Sequence, residues 1–519
     1  MKRSAAGTAI TALMAVVFVF SLTHLQVIKH SQAAVAAPQI SYVANVEVKP
    51  DKQLVTGELR TRFIPVDQEK AYFRLYPNAF RDGSKLTDPN WVFMLGKELE
   101  PGEIKIDEVQ VNGETVHAAY YRNDPTVLEV KWNKTKTPAG KPVEIMLRFT
   151  EKIPNNKGRM SYNSSAIWLG NWLPILAVND QRGWHLDPYY PVGDPFFSDI
   201  ADYKVTVKVP PGYSVASSGN EQAAEMTETR PVKSKSVEIH APRVRDFAMV
   251  IMDDTYLPLE QKVGATLVKT WYQAGDDEQQ TQRMHTAAVN ALRYYHEQFG
   301  EYPYPEFDVV KTGGFFGGME YPGIVFIQGD YFQKANNIGT AVVAHETAHQ
   351  WFYGLVGNDE VAEAWVDESL ADYATMSYLK DREPALSQAY IDYRKIRSNQ
   401  VGRYQQMGLK AWQPLKDFPD WNSYSDLVYS QGAMTLWNLR EKWGAAKVHE
   451  TLRQYVKKHG FGQATGDDVV NAFTVSTGED ARPYFDYWLR FDRSKEKQAE
   501  NWVNLRENRA VVLPKANIE

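Results

Sequence analysis

The sequence predicts a multidomain α+β protein, a β-rich sandwich-like domain followed by a mainly helical one. Three observations carry that expectation. A chain of 519 residues is too long for one compact core. From Ser41 to about Val250 it reads as short strands cut by turn residues. Beyond about Tyr256 the apolar period lengthens to that of helices. The expected division is an export segment at 1–36, a β-rich domain at 37–255, a mainly helical domain at 256–492 and a tail at 493–519.

At the amino terminus, Lys2 and Arg3 precede an apolar stretch from Thr8 to Leu22, and Ala34 and Ala36 follow in an A-x-A pattern. This is the pattern of an export signal, either cleaved or kept as a membrane anchor, since the apolar run is close to the minimum for a span. Either way the body of the protein is expected outside the cytoplasm, secreted or held at the outer face of a membrane. Next, ADYKVTVKVPPGYSV (201–215) alternates side-chain character and stops at Pro210, Pro211 and Gly212, and VEIMLRFTEKIP and KSVEIHAPRVRDFAMVIMD repeat the style. The aromatic and proline-rich stretch WLGNWLPILAVNDQRGWHLDPYYPVGDPFFSD reads as a long loop pressed against another surface. DDEQQTQRMHTAAVNALRYYHEQFG then places Met284, Ala288, Leu292, Tyr295 and Phe299 on one helical stripe ending at Gly300. Two apolar strand-like runs joined by a glycine-rich link follow in FDVVKTGGFFGGMEYPGIVFIQ. Helices are expected afterwards at Ser369–Leu379, Ala433–Trp443, Ala445–His459 and Asp467–Val475.

Composition narrows the function. A hydrophobic share of 43% with 24% charged residues is that of a folded protein. The net charge is -6 and no long run of lysine or arginine occurs, which excludes nucleic acid as a partner. The absence of cysteine removes disulfides and a thiol nucleophile, so a metal would be held by nitrogen and oxygen.

The segment VVAHETAHQW (342–351) carries the chemistry. In a helix, residues four apart stand above one another, so His345 and His349 can present imidazole nitrogens to one ion with Glu346 beside it. Thr340 is a candidate cap for that helix, and Gly354 and Gly357 are its expected stops. A buried helix with two partnered histidines would read the same way. Catalytic zinc takes three protein ligands and leaves a fourth position open, which points to Glu368 in AWVDESLADY. Asp372, one turn further, is placed to orient a ligand histidine, though a solvated helix acid would look identical.

HETAH, eighteen residues and then Glu368 resembles the gluzincin pattern of the M1 family of zinc metallopeptidases and aminopeptidases. GGMEYPG (317–323) resembles that family's G-x-M-E-N motif, with Tyr321 in place of the usual asparagine. SYSDLVYSQGAM resembles the segment carrying its catalytic tyrosine, here Tyr429, with Tyr424 matching a second family tyrosine. RLYPNAF and PYFDYWLRF look like further landmarks, so the resemblance covers about residues 40 to 490. It implies a thermolysin-like zinc peptidase domain in a short form without the long carboxy-terminal helical domain, one Zn2+ per chain, and peptide substrates.

In that reading His345, His349 and Glu368 hold zinc and Glu346 is the general base. Tyr429 stabilises the oxyanion. Glu320 pairs with a free amino terminus, while Gly317, Gly318 and Met319 line the peptide as an added strand. Aminopeptidase activity is the expectation. A zinc endopeptidase with an open cleft and a non-catalytic metal-binding surface protein are the alternatives, and oligomeric state leaves no trace in the sequence.

Overall fold

Strict alternation builds the first half of the molecule. In Ala201–Val209 every second side chain is buried, and the strand stops where Pro210 withdraws its N–H. The computed structural model describes residues 39–503 apart from 137, 228–233, 315 and 334–335. The export segment at 1–36 and the tail beyond 503 lie outside the described residues. Among those described, no helix is long and apolar enough to cross a membrane.

Eight strands form one large sheet: β1 (Ser41–Lys49), β2 (Leu54–Phe63), β3 (Glu103–Val111), β4 (Glu114–Thr115), β5 (Val143–Lys152), β6 (Ala201–Val209), β7 (Asn220–Thr227) and β8 (Ser234–Val244). Their order is β7-β8-β6-β1-β2-β5-β3-β4, with β1 and β6 parallel and the other pairs antiparallel. Two four-stranded sheets accompany it, one containing Ala166–Leu169 and Met249–Met252, the other Lys70–Arg74 and Val127–Lys131. The β-rich expectation is borne out. The aromatic stretch 168–199 does press on a neighbour: Tyr189 and Phe196 pack against Tyr76, and Trp421 donates its indole N–H to Pro191 O.

The second half begins with a hairpin, β9 (Tyr256–Val263) and β10 (Thr266–Gln273), where the sequence reading passes directly to a helix. Most residues of β9 are exposed, so its apolar alternation is weak and the strand escapes a periodicity test. With β11 (Glu306–Thr312), β12 (Gly318–Met319) and β13 (Ile324–Gln328) it makes a five-stranded sheet of order β9-β10-β11-β13-β12. Between β10 and β11 runs α1 (Glu278–Phe299), capped by Asp277 and with its expected stripe buried to the last residue.

Helices follow: α2 (Asn337–Ala348), α3 (Trp365–Arg382), α4 (Pro384–Ser398), α5 (Gly432–Trp443), α6 (Ala445–His459), α7 (Gly466–Thr477) and α8 (Arg482–Leu489). Thr340 does not cap α2. The Asn336 side chain does, accepting from Ile338 N and Gly339 N, because the helix starts a turn earlier than its apolar run. Nor does α2 extend to Gly354: it ends at Ala348 with His349 as its last cap. Residues 493–503 fold back, Trp502 packing on Trp443 and Tyr484.

One side chain ties the halves together. Arg245, 1% exposed, donates to Ser198 O at 3.0 Å, Tyr353 O at 2.9 Å and Gly462 O at 2.9 Å. Gly357 lies flat against the guanidinium, where any Cβ would collide.

Candidate metal centre and active-site cleft

Helices α2 and α3 cross with His345, His349 and Glu368 facing one another. His345 Nε2 stands 3.0 Å from His349 Nε2 and 3.1 Å from Glu368 Oε2, and His349 Nε2 stands 3.2 Å from that same oxygen. The edges of a tetrahedron of zinc ligands at ordinary bond lengths measure about 3.3 Å, so this triangle is nearly one face of it. The far sides of the two rings face different partners. His349 Nδ1 lies 2.9 Å from Phe352 O, and His345 Nδ1 lies 3.6 Å from Asp372 Oδ1. With Phe352 O facing His349 Nδ1 and Asp372 facing His345 Nδ1, the two Nε2 atoms and a carboxylate oxygen converge in a buried space, an arrangement that fits a cation.

The electrostatics agree. Burial lowers the His345 imidazole, but Asp372 and Glu368 outweigh it and push it up to about 9. His349 is likewise raised, against burial, by Glu320 and Glu368. Burial would raise the Glu368 carboxyl, yet hydrogen bonds from the two histidines hold it below the usual range. Without metal the site takes its positive charge as protons, and below about pH 9 a divalent ion must displace them. Zinc uptake at pH 7 is therefore expected to release protons, and the apparent affinity to rise by at least about tenfold per pH unit up to pH 9. Titration of the metal-free protein with zinc in a weakly buffered indicator solution checks this; uptake without proton release contradicts it.

Glu346 points to the cleft side of α2. Its carboxylate lies against Gly318, where a Cβ would collide with it, and burial pushes its pKa up to about 8. Gly318 and Met319 form β12, the last strand of its sheet, paired on one side with β13. Gly317 adopts φ +82°, a conformation glycine reaches without strain, and so turns the chain into that edge. Glu320 follows, 4% exposed, with Oε1 unpartnered among protein groups and a carboxylate oxygen within 4.8 Å of His349 and Asp367 donor atoms. Tyr321 turns away from the cleft: it is fully buried and donates its hydroxyl to Asn171 Oδ1 at 2.6 Å. The unusual residue in that motif therefore leaves the Glu320 side of the cleft unobstructed.

Tyr429 sits in a π-helical turn, Ser425–Gln431, whose wider loop brings its hydroxyl onto the outer oxygen of Glu368. Its ring stacks on His345 at 5.6 Å, and Tyr424 meets it edge-on at 5.8 Å. Tyr424 is packed under Gly193 and braces Tyr429 without reaching the histidines. Asp372 is held by Arg394 Nε at 2.8 Å and by the Tyr390 hydroxyl at 2.5 Å.

The cleft is a cavity of 660 Å³. Besides the expected residues it contains Arg159 and Asp194, buried and ion-paired, and Arg394. Burial pushes Asp194 up to about 8 against the pull of Arg159. Asp194, Glu320 and Glu368 each place a carboxylate oxygen within 4.8 Å of the other two. The sequence reading missed Arg159 and Asp194 because both stand in irregular segments of the β-rich half, outside any spacing that signals a site.

Comparison with known proteins agrees with this geometry. The family model described as Peptidase family M1 domain matches residues 284–488. Aminopeptidase 2 of Candida albicans is 30% identical over 223 residues, 39% of this chain and 23% of that protein. The matched part thus spans about a quarter of that relative. An M1 zinc metallopeptidase from Deinococcus radiodurans aligns with TM-score 0.57 and 17% identity, covering 92% of this chain and 95% of that one. A mutant of it, described as bound to a Tyr-Ser-Ala substrate, aligns with TM-score 0.58 and 17% identity, covering 87% and 94%.

Proposed function

We propose that the chain is a zinc metallopeptidase of the M1 family, whose domain model matches residues 284–488, and that it is an aminopeptidase releasing amino-terminal residues from peptides, with one zinc per chain on His345, His349 and Glu368. The observation that carries the direction of cleavage is Glu320. Its buried carboxylate, with Oε1 unpartnered among protein groups, stands beside His349 at the end of the edge strand β12, where a peptide's free ammonium would end its approach.

The residues divide the work as follows. Backbone groups of Gly318 and Met319 offer an open sheet edge to the peptide, added antiparallel with its amino end toward Glu320. Zinc, when bound, would supply Lewis acidity to the reacting water and carbonyl. Glu346 takes the water's proton on its carboxylate and passes it to the departing amine. The Tyr429 hydroxyl keeps its proton, since burial and then the Glu368 charge raise its pKa, and so donates a neutral hydrogen bond to the developing oxyanion. Asp372, held by Arg394 and Tyr390, keeps the His345 ring oriented.

Glu320→Ala is expected to lower kcat/KM on amino-acid arylamides by roughly a hundredfold or more, and the unaltered protein to reject the same peptides once acetylated at the amino end. Cleavage of acetylated peptides at internal bonds would instead favour the endopeptidase reading. A purely structural metal site is disfavoured by a triad of three ligands opening onto a cleft. The basic and apolar segment at 1–36 supports work outside the cytoplasm, which sequencing the amino terminus of the exported protein would check.

A further inference from the structure

The five-stranded sheet has two faces with different duties. Thr270 of β10 turns toward α1, its hydroxyl 2.9 Å from His285 Nδ1, so its strand neighbours Lys269 and Trp271 point to the opposite face. That face meets the β-rich half. Asp308 of β11 stands beside Lys269 in the parallel ladder with Glu306 two residues earlier on the same side, and Glu221 of β7 joins them from the edge of the eight-stranded sheet. Glu221, Glu306 and Asp308 each place a carboxylate oxygen within 4.8 Å of the other two. None of the three lines the catalytic cleft.

The cluster carries more negative charge than its neighbours match. Lys269 Nζ stands 2.5 Å from Glu306 and 3.9 Å from Glu221, and among the described residues it is the one cation ion-paired with these acids. Asp308, 0% exposed, accepts the Trp271 indole N–H on Oδ1 at 2.9 Å and leaves Oδ2 without a partner among protein groups. Burial, and then the neighbouring carboxylates, push the pKa values of Glu221 and Asp308 up. Three carboxylates against one ammonium leave two negative charges in a place that water barely reaches. Two protons or one divalent cation would match them.

The donors choose among cations. All are carboxylate oxygens, which suit a hard ion and not a nitrogen- or sulfur-seeking one. Oxygens that ligate one calcium ion at about 2.4 Å stand no more than about 4.8 Å apart, a limit that this trio meets as it stands. Magnesium, with shorter bonds and a stricter octahedron, suits acids fixed on two separate sheets less well.

We propose that Glu221, Glu306 and Asp308 bind one calcium ion, a metal site apart from the zinc centre, and that the ion ties the edge strand β7 to β11. Its two charges balance the cluster with Lys269 left in place.

The test uses the full chain, stripped of metal on a chelating resin and reloaded with one equivalent of zinc, at pH 8, where protons compete weakly. Calorimetric titration with calcium chloride is expected to show one ion bound per chain, and the thermal midpoint to rise with zinc content constant. Magnesium is expected to bind at least about tenfold more weakly. Asp308→Asn is expected to weaken calcium binding at least about tenfold and to remove the thermal shift while zinc stays at one per chain. Glu221→Gln, on an edge strand and only partly buried, serves if that variant fails to fold. No calcium uptake at millimolar concentration, or uptake unaltered in both variants, overturns the inference, and the peptidase reading stands in either case.

Discussion

Glu346→Gln is expected to lower the hydrolysis of amino-acid arylamides roughly a thousandfold while zinc stays bound at the level of the unaltered protein. The two halves of that result separate proton transfer from metal binding. Glutamine keeps the shape that packs on Gly318 and cannot accept a proton, and Glu346 makes none of the short contacts that join His345, His349 and Glu368. Metal analysis alongside single-turnover rates decides it. Retained activity would sink the general-base role, and lost zinc would mean that the glutamate belongs to the ligand set.

The second large effect belongs to Tyr429. Its replacement by phenylalanine removes one hydroxyl and leaves the ring stacked on His345, so folding and zinc content should hold. The loss is expected in kcat, by roughly 10²- to 10³-fold, with KM little changed, as for a donor that acts only when the oxyanion has formed. A change confined to KM would show instead that the hydroxyl binds the ground state. The hydroxyl now rests on Glu368, which gives the same variant a second readout: the carboxylate loses a donor and zinc affinity shifts slightly even without substrate.

Much of the centre was legible because its residues obey short-range rules. His345 and His349 are one helical turn apart, and Glu368 follows at the distance needed to leave one helix and enter the next. Gly317 and Gly318 announced a close approach of backbone, and the burial of Glu346 against Gly318 is that approach. Tyr429 is different in kind. Nothing in SYSDLVYSQGAM distinguishes a π-helical turn from an ordinary one, so the tyrosine was reached through family resemblance and its geometry only through the structure. Arg159 and Asp194 were invisible for a further reason. Asp194 enters the cleft through long-range packing of the loop 168–199 and Arg159 from the segment before it, through their ion pair, and no local pattern encodes which surface a loop will meet. The hairpin β9–β10 was lost because exposed strands carry little apolar period, and Thr340 was preferred over Asn336 because Asn336, Asn337 and Gly339 hid the true first turn of α2.

The carbonyl cage around Arg245 bears on how the molecule comes apart. A guanidinium held by Ser198 O in the β-rich half and by Tyr353 O and Gly462 O among the helices has no carboxylate partner in that cage. Parting the halves would strip a permanently charged group of three acceptors before water could replace them, a cost of several kcal/mol for an unpaired buried charge. Heat or denaturant should therefore meet one cooperative transition, with the sheet and the zinc helices lost together, and a partly melted chain carrying an intact metal site should not accumulate.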